Sequence, residues 1–233
     1  MRLLLFFEPW VPVIDNIVVH GQLLDLVQNT SFALKELIVG TLTEEAVFFI
    51  YEGWRKPVSP SEYAEVALGA FREHALKVLE RYPPDSATDE RPLLSRIATQ
   101  WVFACSSRVF ARKAASYTYV FGYPLDFDGW GNETFCNGHV CHGAELPFLF
   151  ESTWVNFTDV GRHISESMAT YWTNFATSQD PNEPVPVTPA WPRTTTGNEK
   201  YLSFQNPLQV QETYLKNECD FWDSIGYKKE ILF

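Results

Sequence analysis

Two short apolar runs constrain the fold of this chain more than any other feature of its sequence. One is KELIVGT at residues 35–41, and the other is ASYTYVFGYPL at residues 115–125. Their length, their β-branched and aromatic content and the glycine that stops each of them predict two buried strands. Helical patterns fill the stretch between them, and this alternation of strand and helix predicts an α/β architecture.

Three longer segments carry helical signals. Ser59-Pro-Ser-Glu predicts the start of one helix, with a serine cap and an acidic first turn. A second helix is predicted from Thr88, and its apolar stripe is Leu94, Ile97, Trp101, Cys105, Val109 and Phe110. A third is predicted from about Asp159 to Ser178, because the pair Asp180-Pro181 ends it.

The last quarter of the chain adds shorter elements. KYLSF at residues 200–204 predicts a strand, and KNECDFWDSIG at residues 216–226 predicts a final short helix. NEPVPVTPAWP at residues 182–192 is interpreted as a proline-rich surface excursion. These central strands are too few to form a parallel sheet that is stable by itself. Such a sheet needs other elements packed over both faces and protection of both edge strands. We therefore expect a helix-rich chain with an incomplete sheet, part of a larger layered domain.

The charge balance limits the classes of partner. Eighteen basic residues against 29 acidic ones give a net charge of −11, which argues against nucleic acid and against an anionic membrane surface. No apolar run reaches the roughly 18 residues of a membrane span. The apolar core of residues 3–7 stops at Glu8-Pro9, and it is shorter than the roughly 7–15 residues of a signal peptide.

Other features are typical of exported proteins. Three glycosylation sequons begin at Asn29, Asn132 and Asn156, and the chain has four cysteines. Together these features indicate an oxidising compartment. The sequence therefore combines extracellular traits with no visible export signal.

The stretch CNGHVCHGAELPFLF at residues 136–150 concentrates the reactive side chains. Cys136, His139, Cys141 and His142 offer four zinc ligands, but structural zinc sites usually draw ligand pairs from two separate elements. A disulfide between Cys136 and Cys141 is favoured, and two unpaired buried cysteines are the alternative. A lone loop histidine such as His142 is more often a structural hydrogen-bonding group than a general base.

The same stretch resembles the histidine motif of the type-B carboxylesterase/cholinesterase family. Four further parts of the chain resemble that family in the same order: VPVID at residues 11–15, IVGTLTEEAVFF at residues 38–49, YWTNFATSQDPN at residues 171–182, and the pair AWP and CDFW that follows. The resemblance implies an α/β-hydrolase fold, of which residues 1–233 would be the C-terminal portion. It implies no cofactor.

The resemblance also implies roles for single residues. His142 would be the general base, and Glu45, rather than Glu44, would be the acidic partner that orients its imidazole. On the residues alone, Glu45 is more simply a capping carboxylate after a strand. Glu145 is expected to form a structural ion pair. Cys105 and Cys219 stand where the family carries a long-range disulfide.

The sequence also departs from the family pattern. Ala46 and Leu42 replace the usual Gly and Asn, and both changes lie in the turn that presents Glu45. The 233 residues contain no Gly-x-Ser-x-Gly and no Gly-Gly-Gly, although the triad of this fold runs serine, acid, histidine in chain order. The chain would thus hold the acid and the base but neither the nucleophile nor the oxyanion hole.

Two functions follow from the resemblance. In the first, the chain is the C-terminal part of a secreted carboxylesterase, inactive by itself, which takes a small ester substrate only when an N-terminal part completes it. In the second, it is a non-catalytic cholinesterase-like binding or adhesion protein. The sequence indicates neither the ester nor the oligomeric state.

Overall fold

The structure is a computed structural model that describes residues 12–28, 35–153 and 155–227. Its centre is a four-stranded sheet, and the strands lie side by side in chain order. They are β1 (Ile38–Leu42), β2 (Tyr117–Phe121), β3 (Lys200–Phe204) and β4 (Gln209–Glu212). The first three are parallel and β4 is antiparallel to β3, so the sheet is mixed and open. This confirms the α/β prediction and adds β4, which the sequence did not indicate.

Helices cover the sheet and form a second layer beside it. The helices of the described residues are α1 (Leu23–Gln28), α2 (Ala46–Gly53), α3 (Pro60–Phe71), α4 (Ala75–Arg81), α5 (Arg91–Ala98), α6 (Cys105–Ala114), α7 (Leu146–Leu149), α8 (Asp159–Ser178) and α9 (Lys216–Ile225). Helix α3 begins with the predicted serine cap. The Ser59 hydroxyl accepts from the Glu62 amide while the Glu62 carboxylate accepts from the Ser59 amide.

The predicted helix start at Thr88 is wrong, because α5 begins at Arg91. The residue before it, Glu90, is completely buried, and its carboxylate accepts from the backbone amides of Asp85 and Ser86. That carboxylate stabilises a non-helical turn over residues 85–90, which includes the first three residues that were expected to be helical.

The predicted apolar stripe changes direction inside the same helical segment. Residues Thr99–Ala104 form a π-helical stretch between α5 and α6, and its wider turns shift the phase of the side chains that follow. Beyond Cys105, Arg108 and Ala111 are therefore buried. Val109 and Phe110, which the predicted stripe included, are only half-buried.

Among the described residues, two large apolar cores hold these layers together, and a smaller cluster packs Cys136 and Cys141 against Val47. One lies among α2, α3, α5 and α9, and the disulfide between Cys105 and Cys219 joins its α6 and α9 sides. The other lies between the sheet and α8. It includes Trp191, which is 1% exposed and whose indole nitrogen donates to the Thr118 carbonyl oxygen at 2.9 Å. The proline-rich excursion is thus exposed over most of its length but anchored by a buried tryptophan.

Several sequence features lie outside the described residues or at the surface. Residues 3–7, residue 11 and the sequon at Asn29 fall outside, whereas Asn132 and Asn156 are exposed. None of the described helices combines the length and the apolarity that a membrane crossing requires.

Candidate active site

The topology of the sheet brings Glu45 and His142 to one place. Strands β1 and β2 are parallel neighbours, so their carboxyl ends lie at the same edge of the sheet. Glu45 follows the end of β1 and His142 lies in the long loop after β2. Their side chains meet across 97 residues of sequence, and the His142 Nδ1 is 2.5 Å from the Glu45 Oε2.

Two hydrogen bonds fix the Glu45 carboxylate through the oxygen that does not contact His142. Its side chain is 5% exposed. Its Oε1 accepts from the backbone amide of Leu42 at 2.8 Å and from the hydroxyl of Thr41 at 3.2 Å. It occupies the N-cap position of α2 but makes no side-chain cap bond; the amide of Ala46 donates instead to the Thr99 hydroxyl oxygen at 3.0 Å. The Glu45 carboxylate therefore bonds to the His142 imidazole and does not cap the helix.

The contact with Glu45 determines which tautomer the neutral His142 ring adopts. A carboxylate only accepts, so the imidazole donates to Glu45 from Nδ1, and the neutral ring keeps its lone pair on Nε2. The side chain is 50% exposed. The rings of Phe49 and Phe103 lie 5.1 and 5.5 Å from it, centroid to centroid. A half-exposed imidazole with this tautomer has the geometry of a general base.

A disulfide closes the loop that precedes His142. Cys136 and Cys141 are bonded to each other and fully buried, as favoured from the sequence. With the two sulfurs bonded to each other, neither cysteine is a free thiol, so the unpaired-cysteine alternative is wrong. Among the residues that the structure describes, no group of three or more His, Cys, Asp or Glu side chains is placed to hold a metal ion.

Glu44 points to a different part of the same loop. Its Oε1 lies 2.7 Å from the Nδ1 of His139, and its Oε2 accepts from the backbone amide of Val140 at 2.8 Å. The assignment of the His142 contact to Glu45, rather than to Glu44, agrees with this geometry. The pairing of Glu44 with His139 was not predicted from the sequence.

The ion pair expected for Glu145 is absent from the described part of the chain, and that prediction is wrong. The Glu145 Oε2 is buried and has no hydrogen-bond partner there. Burial raises the pKa of the Glu145 carboxyl, and the negative charge of Glu45 acts in the same direction. Among the described residues, no lysine or arginine lies within ion-pair distance of this carboxyl; the nearby ionisable groups include Glu45 and His142.

Three residues of the site carry no sequence signal that could have identified them. Thr99 and Phe103 come from the π-helical stretch, whose position depends on packing rather than on a local pattern. His139 was noted only as a zinc ligand. Each contributes through a tertiary contact, which periodicity does not reveal.

Comparisons with known proteins agree with the geometry. Residues 4–222 match the model of the carboxylesterase family. The chain is 30% identical to the crystal protein of Dictyostelium discoideum, over 95% of this chain and 42% of that protein. It is 27% identical to the cAMP-regulated D2 protein of the same organism, over 97% of this chain and 44% of that protein.

A third relative is an acetylcholinesterase of Bungarus fasciatus. It is 24% identical over 94% of this chain and 39% of its own length. The chain thus spans less than half the length of these three curated relatives. The family match covers nearly every residue, including both members of the glutamate–histidine pair, and the chain therefore belongs to the carboxylesterase family.

Proposed function

We propose that this chain supplies the acid and the base of a carboxylic ester hydrolase, and that residues 1–233 are the C-terminal part of its catalytic domain. The observation that carries the proposal is the 2.5 Å contact between the Glu45 Oε2 and the His142 Nδ1. A buried carboxylate behind a half-exposed imidazole is the acid–base half of a serine-hydrolase triad.

In this proposal each side chain has a distinct task. The Nε2 of His142 takes the proton of a serine hydroxyl as that oxygen attacks the ester carbonyl, and later returns it to the leaving alcohol. Glu45 keeps the imidazole in the Nδ1-protonated tautomer and stabilises the imidazolium that forms. Its bonds from Leu42 and Thr41 keep the carboxylate in place during both steps.

The remaining parts of the site must come from outside this sequence. In the α/β-hydrolase order the serine precedes the acid, and the 233 residues contain no Gly-x-Ser-x-Gly. Loss of a triad serine alone lowers turnover by about 10⁶, and the oxyanion donors that support residual catalysis are missing as well. The chain by itself is thus expected to be inactive.

Apolar surface supports a completing segment. Val102, Leu146 and Phe150 are large apolar side chains that are 46%, 47% and 69% exposed. Val102 adjoins Phe103 in sequence, and Leu146 adjoins Glu145. Two disulfides and the exposed sequon residues Asn132 and Asn156 support an extracellular location for the whole protein. The sequon at Asn29 belongs to the same proposal.

The experiment uses a longer product of the same gene, extended upstream as far as an open frame encodes Gly-x-Ser-x-Gly. A fluorophosphonate probe, which reacts with an activated serine, should label the extended protein, and p-nitrophenyl esters should be hydrolysed. Both signals should fall by about 10³-fold or more in His142→Ala and in Glu45→Gln. The matched control is Glu65→Gln, an exposed change on α3, which should retain both.

The alternative is a non-catalytic binding protein. The names of the two D. discoideum relatives, crystal protein and cAMP-regulated D2 protein, specify no ester chemistry. The same experiment separates the two functions. An extended protein that is folded, contains the serine and is neither labelled nor active would contradict the hydrolase proposal and favour binding.

A further inference from the structure

We propose that Glu44 is a positioning residue, which fixes the loop carrying His142 so that the imidazole meets Glu45. The inference rests on the proposed function for its purpose, but its test does not depend on activity. It assigns a task to the second carboxylate–imidazole pair of this site, which the triad itself does not use.

The two consecutive acids hold the same loop at different points. Glu45 contacts His142, whereas Glu44 contacts His139 and Val140 with its two oxygens, at 2.7 and 2.8 Å. Both acids come from one turn, because the Glu44 carbonyl oxygen accepts from the Val47 amide as α2 begins. Any displacement of the loop relative to that turn would therefore strain both contacts together.

Other contacts also hold the loop, both within itself and against α2. The disulfide from Cys136 to Cys141 closes it, and the His139 amide donates to the Cys136 carbonyl oxygen at 3.0 Å. Such contacts fix its shape but not its distance from the acidic turn. Apolar packing of Cys136 and Cys141 against Val47 of α2 sets the general position. The Glu44 bonds add direction, because hydrogen bonds are far more angle-dependent than apolar contacts.

The contact to Val140 is the stronger anchor. It joins a carboxylate to a backbone amide, so it restrains the main chain two residues before His142. The His139 side chain is 48% exposed, so its contact with Glu44 is weakened by water. A side chain that reaches the Val140 amide should therefore preserve most of the effect, whether or not it is charged.

The readout is the proton on the Nδ1 of His142, observed by nuclear magnetic resonance in the 233-residue chain labelled with ¹⁵N. A proton held in a short hydrogen bond to a carboxylate resonates far downfield and exchanges slowly with water. Loss of the signal in Glu45→Gln assigns it. Its exchange rate then reports how firmly the imidazole is held against Glu45, whether or not the chain has any hydrolytic activity.

Three substitutions of Glu44 separate the effect of its side-chain length from the effect of its charge. Glu44→Ala removes both contacts, and should speed the exchange by about tenfold or more, as expected for the loss of a hydrogen bond to a charged group. Glu44→Asp keeps the charge but is one methylene too short to reach both partners, and should speed exchange severalfold. Glu44→Gln keeps the length and an acceptor for the Val140 amide, and should stay within about twofold of the parent.

The outcomes are decisive in both directions. Faster exchange in Glu44→Asp with near-parental exchange in Glu44→Gln supports positioning by reach, even if Glu44→Ala does not fold. Parental exchange in folded Glu44→Asp and Glu44→Ala overturns the proposal, because Glu44 would then be a stability contact only. It is also overturned if Glu44→Gln is perturbed and Glu44→Asp is not, since charge would then be the cause. A failure of ester hydrolysis in the extended protein would leave these results unchanged.

Discussion

Arg108 and Glu199 form a two-point ion pair in the interior of the protein. The Arg108 Nε lies 2.5 Å from the Glu199 Oε2, and its second terminal nitrogen lies 3.1 Å from the Oε1. Their side chains are 9% and 14% exposed. The pair links α6 to the residue before β3, so the helical layer and the sheet are joined by charge as well as by apolar contact.

The first prediction concerns this pair. Among the described residues, Arg108→Ala leaves the buried Glu199 carboxylate with one cation, Arg112, at 3.3 Å. The substitution should lower the free energy of unfolding by about 3 kcal/mol. Arg96→Ala removes an exposed pair with Asp85, whose side chains are 53% and 52% exposed, and should cost about 0–1 kcal/mol. Urea unfolding measures both. Equal losses would show that burial does not govern the Arg108 contribution.

The second prediction compares the two disulfides. The Cys105–Cys219 bond closes a loop with a sequence separation of 114, and the Cys136–Cys141 bond closes one of 5. In the chain-entropy model, replacing the first pair by alanine should cost about 5 kcal/mol and replacing the second about 2 kcal/mol. Urea unfolding measures the losses, and peptide mapping without reductant checks the pairing. A Cys136–Cys219 crosslink, or the reverse order of losses, would contradict it.

The third prediction is a pH dependence that originates at Glu145. Burial raises the pKa of this carboxyl in the folded state, so the folded chain binds a proton more tightly than the unfolded chain. The free energy of unfolding therefore falls as the pH rises from about 4, where an unfolded glutamate titrates, through the raised pKa. Glu145→Gln should remove this loss and raise the free energy of unfolding at pH 7 relative to the parent.

An opposite-sign control is available at Glu62. Hydrogen bonds from the backbone amide and the hydroxyl of Ser59 lower the pKa of the Glu62 carboxyl. Its contribution to stability is present above the unfolded pKa and is lost as the pH falls, so Glu62→Gln should destabilise at pH 7 and match the parent near pH 3. Unfolding curves at pH 3 to 8 measure both variants. A parent curve that runs parallel to that of Glu145→Gln would contradict the Glu145 prediction.

The fourth prediction is that the 233-residue chain does not hydrolyse short-chain p-nitrophenyl esters above a buffer control. The reason is chemical: an acid and a base are present, but the sequence has no elbow serine for them to activate. His142→Ala should give the same rate as the parent. A parental rate that disappears in His142→Ala would reveal another nucleophile.

Sequence reasoning succeeded where the signal is local. The two apolar runs became β1 and β2, and the serine cap at Ser59 begins α3. Gly122 follows the end of β2 as predicted, but Gly40 lies inside β1, which continues to Leu42. Helix α8 has the predicted bounds, because a Thr158 cap precedes it and Asp180-Pro181 follows it. Each of these features depends on the chemistry of a few adjacent residues.

Tertiary contacts explain what the sequence did not show. Strand β4 has the polar sequence QVQE and exists because it pairs with β3 at the edge of the sheet. The π-helical stretch interrupts the regular helical period on which the predicted apolar stripe depended. The burial of Glu145 and the Glu44 contact with His139 likewise depend on segments that are distant in sequence. Family resemblance, rather than periodicity, identified Glu45 and His142 together.

The short loop closed by the Cys136–Cys141 disulfide restricts how His142 can move. A disulfide that spans so few residues leaves the backbone directly before His142 little freedom to slide or bend. When the imidazole reorients, it must therefore turn about its own side-chain bonds. Rotamer changes of exposed side chains take picoseconds to nanoseconds, whereas loop motions extend to microseconds. Reorientation of this base should thus follow the release of its side-chain contacts, among them the one to Glu45, and not the slower opening of a flap.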